Sequence, residues 1–258
     1  MEVLFTEEDH KYTHSSGKIY TSVTTVIGKY KAKFDTEYWS TYKAIERILG
    51  DEEFKKIKRK LGFENIIPVL YGKYYKQIPP VKEKILAEWA EKTRLACEKG
   101  TAFHKEQENN TNSGSVCVET NLPIQIGNRD LKDIQDGVYA EMVLWINEYG
   151  IAGQADKVII EGKYIDIDDY KTSQYINITS FKHHTKGYEM MLYPIDNIMN
   201  CNLYHYSLQL SIYGYMLECH GKIVRNLRIY HQGTDKWISV KYLREEVIAL
   251  LQHYKQSL

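Results

Sequence analysis

Residues 153–173, GQADKVIIEGKYIDIDDYKTS, alternate in period two on both sides of Gly162-Lys163. A Gly-X pair between two alternating runs marks a tight β-hairpin, and a hairpin with one apolar face tolerates a single register. With Gly162 and Lys163 as the loop, Ile160 lies opposite Ile165, Val158 opposite Ile167, and Asp156 opposite Asp169. Lys171 joins that face, whereas Asp166, Asp168 and Tyr170 point the other way. The parity selects Asp169 over Asp168 as the partner of Lys171.

Directly opposed residues of two strands lie roughly 4.5–5.5 Å apart at Cβ, where like charges destabilise the pair. An Asp-x-Lys alone is most often an ion pair at a sheet edge. Two opposed carboxylates beside a lysine, on an otherwise apolar face, call instead for a divalent cation between them.

Other groups join this arrangement. His104 and Glu108, four apart in GTAFHKEQE, share one helical face. A neutral imidazole at His104 with Asp156 and Asp169 suits Mg²⁺ or, better, Mn²⁺. Glu108 can bind the cation, orient a ligand from behind, or cap the sheet. Glu141, on the preceding strand, is a further carboxylate for the metal's surroundings or an exposed strand residue. Gln209 and Tyr213 are spaced four apart in LYHYSLQLSIYGYMLE. Leu208, Ile212 and Tyr215 fit a buried stripe there, so Tyr213 is also readable as core, while Gln209 on the flank of that stripe stands out because a buried amide needs partners.

The rest of the chain reads as follows. Residues 1–30 suggest short strands around a Ser15-Ser16-Gly17 turn, with His10 and His14 at the surface. Helices follow at Thr36–Leu49 and 52–60, the second ending at Gly62. Its KKIKRK run, with Lys55, Lys56 and Lys58, is ordinarily a solvated face and is also the strongest basic cluster available for phosphates. Residues 63–80 read as loop, with Pro68, Gly72, Pro79 and Pro80 marking a boundary. A helical pattern runs over 81–108 with a break near Gly100-Thr101, and another helix is expected over 128–137. Strands are expected at 140–146, 151–160 and Tyr164–Lys171. Residues 174–202 resemble an insertion, in which His183-His184 with Lys182 and Lys186 form a solvated or phosphate-contacting patch. A helix over 203–218, strands at Ile223–His231 and 237–240, and a last helix over 243–254 complete the pattern. The expected fold is α/β (α+β), a central mixed sheet flanked by helices. An accessory lobe takes residues 1–80 and a core takes 81–258.

The 258 residues carry 34 basic and 34 acidic side chains, so nucleic-acid contact must come from local patches rather than a global field. No apolar run approaches the ~18 residues of a membrane span, and the start MEVLFTEEDH lacks the basic and apolar regions of a signal peptide. Cys97, Cys117, Cys201 and Cys219 are widely spaced with no C-x-x-C, which argues against zinc knuckles and a disulfide framework. A cytoplasmic protein without a membrane partner is the expectation.

The order GTAFHKEQE, GQAD, DYKTS, QLSIY resembles the PD-(D/E)XK nuclease superfamily in its RecB-like branch, over about residues 95–231. That branch also holds the CRISPR adaptation nucleases and the mitochondrial genome-maintenance exonuclease. The resemblance implies a restriction-endonuclease-like core. It implies metal ligation by His104, Asp156, Asp169 and the backbone carbonyl of Tyr170, and a Lys171 that positions or activates the attacking water. Gln209 and Tyr213 resemble the branch's Gln-x-x-x-Tyr motif near the DNA backbone, and Thr172 of the DYKTS run is placed beside them as a DNA contact. The iron–sulfur cluster of several members is not expected, because its cysteine spacing is absent. No Walker loop or helicase motor is present.

The expected activity is a Mg²⁺/Mn²⁺-dependent deoxyribonuclease. Small size and the lack of a sequence-reading module favour an exonuclease on single-stranded or end-containing DNA. The setting would be recombination, repair or genome processing, as in a stand-alone phage-type member working with a recombination or replication partner. The alternatives are a catalytically silent DNA-binding or scaffold protein that keeps the fold, and a structure-specific endonuclease.

Overall fold

The computed structural model describes residues 3–126, 131–183 and 187–258. In chain order the elements are β1 (Val3–Thr6), β2 (Lys11–His14), β3 (Ile19–Ser22), α1 (Val23–Lys29), α2 (Thr36–Leu49), α3 (Asp51–Leu61), α4 (Ile66–Tyr74) and α5 (Ile78–Asn112). There follow β4 (Ile124–Gln125), β5 (Gly137–Ile146), β6 (Ile151–Glu161), β7 (Tyr164–Lys171), β8 (Lys182–His183), β9 (Gly187–Tyr188), α6 (Asn202–Glu218), β10 (Ile223–His231), β11 (Lys236–Ser239) and α7 (Arg244–Gln256). The chain is mixed α/β, with a central mixed sheet flanked by helices. Among the described residues no helix is long and apolar enough to cross a membrane.

Two compact units divide the chain: Met1–Ala32 with Gly100–Leu258, and Lys33–Lys99. The expected lobe boundary at residue 80 is therefore corrected. Residues 3–32 belong to the sheet-bearing unit because β3 pairs in parallel with β6, Thr21 with Ile151 and Ser22 with Ala152. Val3, Tyr12 and Tyr20 enter the same core as Ile151 and Ile160.

In that unit β5, β6 and β7 form an antiparallel meander, and β10 adds in parallel to β7 after α6. The predicted register is present for Ile160 opposite Ile165 and Val158 opposite Ile167, but the ladder ends at Lys157 and Asp168, so the expected Asp156–Asp169 pairing is not part of it. Gly162 opens the turn at φ +57°, the left-handed region where type II′ turns take glycine. On the edge of β6 away from β5, β3 holds residues 151 and 152 and β7 holds residues 157 to 161. Between these two partners the ladder is open at Gly153–Asp156, and this fork places the site. The face of the sheet with Val158, Ile160, Ile165 and Ile167 is buried with Leu208, Ile212 and Met216 of α6 in one core. Each such side chain stabilises the fold by about 1.5–3 kcal/mol through burial.

Several local expectations need correction, each for a physical reason. Residues 23–29 are helical, not extended, because Ser22 caps α1 by accepting the Thr25 amide at 3.1 Å. The stretch 63–80 is not a loop. Pro68 sits in the first turn of α4, and Pro79 and Pro80 in that of α5, where a missing N–H costs no helical hydrogen bond. The break at Gly100-Thr101 is absent and α5 continues to Asn112; one glycine costs a helix only about 1 kcal/mol, which tertiary contacts offset. The helix expected over 128–137 is not formed by its described residues: 131–133 make a single 3₁₀ turn and 137 begins β5, while 128–130 lie outside the described residues. His184 and Lys186 of the expected basic patch also lie outside them. Of that patch, Lys182 faces Tyr188 across the β8–β9 pair.

The Lys33–Lys99 unit has its own core of Tyr42, Ala44, Ile45, Phe54, Ile66, Leu70, Ile78 and Ile85. Asp35 caps α2 through the Tyr38 amide at 2.8 Å. Gly50 and Gly62, both at positive φ, end α2 and α3.

Candidate metal centre

Asp156 sits where the β6–β7 ladder opens. Its Oδ2 accepts the Tyr170 amide at 2.7 Å, so a side chain replaces the backbone acceptor that the ladder would otherwise supply. Tyr170 thus meets Asp156 through its amide. Across β5, Ala140 pairs with Lys157 and Met142 with Ala155, which sets Glu141 against Asp156. Glu141 lies at φ +49° inside a strand, a conformation a non-glycine residue holds only when its surroundings enforce it. Its carbonyl leaves the ladder and accepts Gln154 Nε2 at 3.1 Å.

His104, on α5, brings Nδ1 to 3.3 Å from Asp156 Oδ1 and 4.0 Å from Glu141 Oε1. Ligand atoms of His104, Glu141 and Asp156 all lie within 4.8 Å of one another. This set exchanges one expected member: Glu141 stands beside His104 and Asp156, while Asp169 turns its carboxylate to Lys171. Lys171 Nζ lies 2.6 Å from Asp169 Oδ2, and Asp169 is 1% exposed.

The electrostatics report a site short of positive charge. Burial, then the nearby Asp156 charge, pushes the Glu141 carboxyl up to about 8, and burial raises Asp169 to about 6 against the opposing pull of Lys171. Burial alone would lower the Lys171 and His104 pKa values. Asp169 and Asp156 outweigh it at Lys171, and Asp156 outweighs it at His104, so both are raised. Crowded carboxylates and one imidazole make His104, Glu141 and Asp156 a donor set that could hold a metal ion.

A pH dependence follows. Asp169 and Glu141 are acids whose folded pKa lies above the ordinary 3.8 and 4.5, so the folded state holds their protons more tightly than the unfolded chain does. Their contribution to metal-free stability is complete below those ordinary values and is lost as pH rises through about 6 and about 8. Thermal melts in EDTA should show a loss on the order of a few kcal/mol between pH 5 and 9. Added Mn²⁺ should raise the melting temperature more at pH 8 than at pH 5, because ligands must be deprotonated to bind. A pH-independent metal effect would contradict the described cluster.

The opposite face of β7 behaves as parity predicts. Asp168 is paired with Arg228 at 2.7 and 2.8 Å, and Asp166 with Arg225 at 3.0 and 2.7 Å. Tyr170 packs against Phe103, Tyr230 and Trp237.

The remaining predicted residues divide. Glu108 is paired with Lys105 at 2.7 Å, and its charge is felt at Glu141. Thr172 lies beside α5, where a Cβ at Gly100 would meet its Oγ1 at 3.6 Å. Gln209 is half-buried and donates to the Tyr213 hydroxyl at 3.3 Å. Tyr213 itself is corrected from a cleft residue to a core residue. It is 3% exposed, and its ring packs so closely on β6 that a Cβ at Gly153 would meet Cε1 at 2.6 Å. Lys55, Lys56 and Lys58 are exposed on α3 in the Lys33–Lys99 unit, with the Lys58 ammonium over the rings of Tyr42 and Phe63. The sequence reading missed Tyr206, whose ring lies 4.8 Å from Lys171 Nζ.

No family model and no curated protein matches the chain.

Proposed function

We propose that the protein is a divalent-metal-dependent nuclease that hydrolyses phosphodiester bonds in DNA. The observation that carries this reading is the junction of His104, Glu141 and Asp156 with the Asp169–Lys171 pair at the open end of the β6–β7 hairpin. The mixed sheet flanked by helices agrees with the PD-(D/E)XK resemblance and supports it.

His104, Glu141 and Asp156 would hold the cation, with Asp169 adjacent. Bound there, it would supply a water of lowered pKa and Lewis-acid compensation for charge on the phosphate. Burial lowers the Lys171 pKa but Asp169 and Asp156 more than offset it, so in the metal-free protein the ammonium holds its proton more tightly than an ordinary lysine does. Its part is that of a fixed cation opposite charge developing on a phosphate oxygen. Asp169 holds that ammonium in place at 2.6 Å, and the Tyr206 ring underlies it. The Tyr170 amide locks one oxygen of Asp156, leaving Oδ1 directed at His104.

The test is purified protein with Mg²⁺ or Mn²⁺ on end-labelled single-stranded, double-stranded and covalently closed circular DNA. We expect linear DNA to be degraded and closed circles to survive, as for an exonuclease that requires a terminus. Rapid cutting of circles would move the activity to an endonuclease of the same site, and absence of cleavage on every substrate would reject the reading.

A further inference from the structure

Tyr206, Gln209 and Tyr213 lie within α6 at spacings of three and four, so their side chains share one stripe of the helix. That stripe meets both strands of the hairpin. Tyr213 packs on β6, where a Cβ at Gly153 would meet its Cε1 at 2.6 Å. Gln209 donates to the Tyr213 hydroxyl at 3.3 Å. Tyr206 reaches β7, where the Lys171 ammonium lies over its ring, 4.8 Å from the centroid. The stripe therefore runs from the strand of Asp156 to the strand of Lys171.

A lysine ammonium is a point charge at the end of a flexible four-carbon stem. Asp169 engages this one through Oδ2 at 2.6 Å. One ion pair fixes a distance and leaves the stem free to pivot about it. The ring adds a second constraint from a different element, because the negative face of a π system attracts a cation along one direction. Desolvation strengthens that attraction, and the Lys171 side chain is only 15% exposed. Tyr206 is half-buried and packs against the main hydrophobic core, so the ring is itself held in place.

We propose that Tyr206 is a positioning residue for cleavage, whose ring face, together with the Asp169 carboxylate, holds the Lys171 ammonium where the reacting phosphate meets it. The ring acts through the lysine and not on the DNA, and the hydroxyl has no part in the effect. A side chain that merely filled space at 206 would need no π face toward a cation. The catalytic consequence rests on the nuclease reading, whereas the immobilised ammonium is a property of the protein alone.

The experiment uses the full chain and three measurements: single-turnover cleavage with Mn²⁺, DNA affinity in EDTA, and NMR relaxation at Lys171 Cε, its signal identified by its loss in Lys171→Ala. Tyr206→Leu removes the π face and keeps an apolar side chain. It should lower the cleavage rate of bound DNA about three- to thirtyfold, the range of a cation–π contact, and leave affinity unchanged. Tyr206→Phe should recover most of that loss. In a Lys171→Ala background Tyr206→Leu should cost little more, since the effect of the ring runs through the ammonium. The Lys171 Cε should be ordered in wild type and Tyr206→Phe and mobile in Tyr206→Leu. Thermal melts check folding, with Tyr206→Met in place of a leucine variant that fails to fold. A rate loss that persists in full without Lys171 makes Tyr206 a structural residue and overturns the proposal. So does weaker DNA binding at an unchanged rate, the mark of a DNA contact, or an equal loss in the Leu and Phe variants, the mark of a needed hydroxyl. Wild type that cuts no substrate rejects the nuclease reading, and the relaxation measurement then decides alone. Mobility that rises only when the ring is lost upholds the positioning contact, and mobility indifferent to the ring overturns it.

Discussion

Asp169→Asn is expected to reduce cleavage to background, whereas Asp168→Asn keeps most of the activity per folded molecule. The two residues are neighbours on one strand and both are 1% exposed, so burial does not distinguish them. Strand parity does. Asp169 faces Lys171 and the His104–Glu141–Asp156 group, and loss of its charge removes both the anchor of the ammonium and part of the field that attracts a cation. Asp168 faces Arg228, whose guanidinium also lies 5.0 Å from the Trp237 ring. Its substitution leaves that arginine half-paired and costs about 1–3 kcal/mol of stability. Asp156→Asn should resemble Asp169→Asn in activity while folding normally, since an asparagine oxygen can still accept the Tyr170 amide. The measurements are single-turnover cleavage, urea unfolding and Mn²⁺ calorimetry. Equal activity losses at 168 and 169, with both proteins folded, would show that the register argument does not govern the chemistry.

That register was legible because the hairpin's apolar pairs permit one alignment, and α6 was legible because its long apolar run has few alternatives. Glu141 was visible as a strand carboxylate but not as a direct neighbour of His104. The alignment of β5 with β6 depends on a second turn, at 147–150, and a distortion at φ +49° leaves no local signature. Tyr213 was misplaced by motif analogy, although its helix already offered the core alternative. The close fit against Gly153 is a tertiary contact that spacing along α6 does not reveal. The prolines at 68, 79 and 80 read as loop markers because a proline in a first helical turn and one in a loop look alike until the turn is seen. Residues 3–32 carried no sign that β3 would pair with a strand about 130 positions later, since strand pairing is non-local.

Lys171→Ala should lower the cleavage rate by about 10²–10³-fold, the loss typical of one preorganised donor to a developing oxyanion. Its effect on DNA affinity should be small. The ammonium is already engaged by Asp169 in the protein alone, and its side chain is only 15% exposed, so it offers little to a phosphate in the ground state. An interaction made mainly in the transition state lowers kcat and kcat/KM together and leaves binding alone. Loss of the lysine also removes a charge that holds the Asp169 pKa down, so the activity that remains should shift its pH profile upward. Lys55, Lys56 and Lys58 should behave in the opposite way. They are exposed on α3, and their joint neutralisation should weaken DNA binding and reduce its salt slope while the cleavage rate of bound DNA stays the same. A silent DNA-binding protein of this fold predicts another pattern, in which the lysines of α3 matter and Lys171 has no rate to affect. Wild-type protein that binds DNA yet cuts no substrate with either metal would decide for that protein, and a rate that falls at Lys171 with affinity intact would decide for the enzyme.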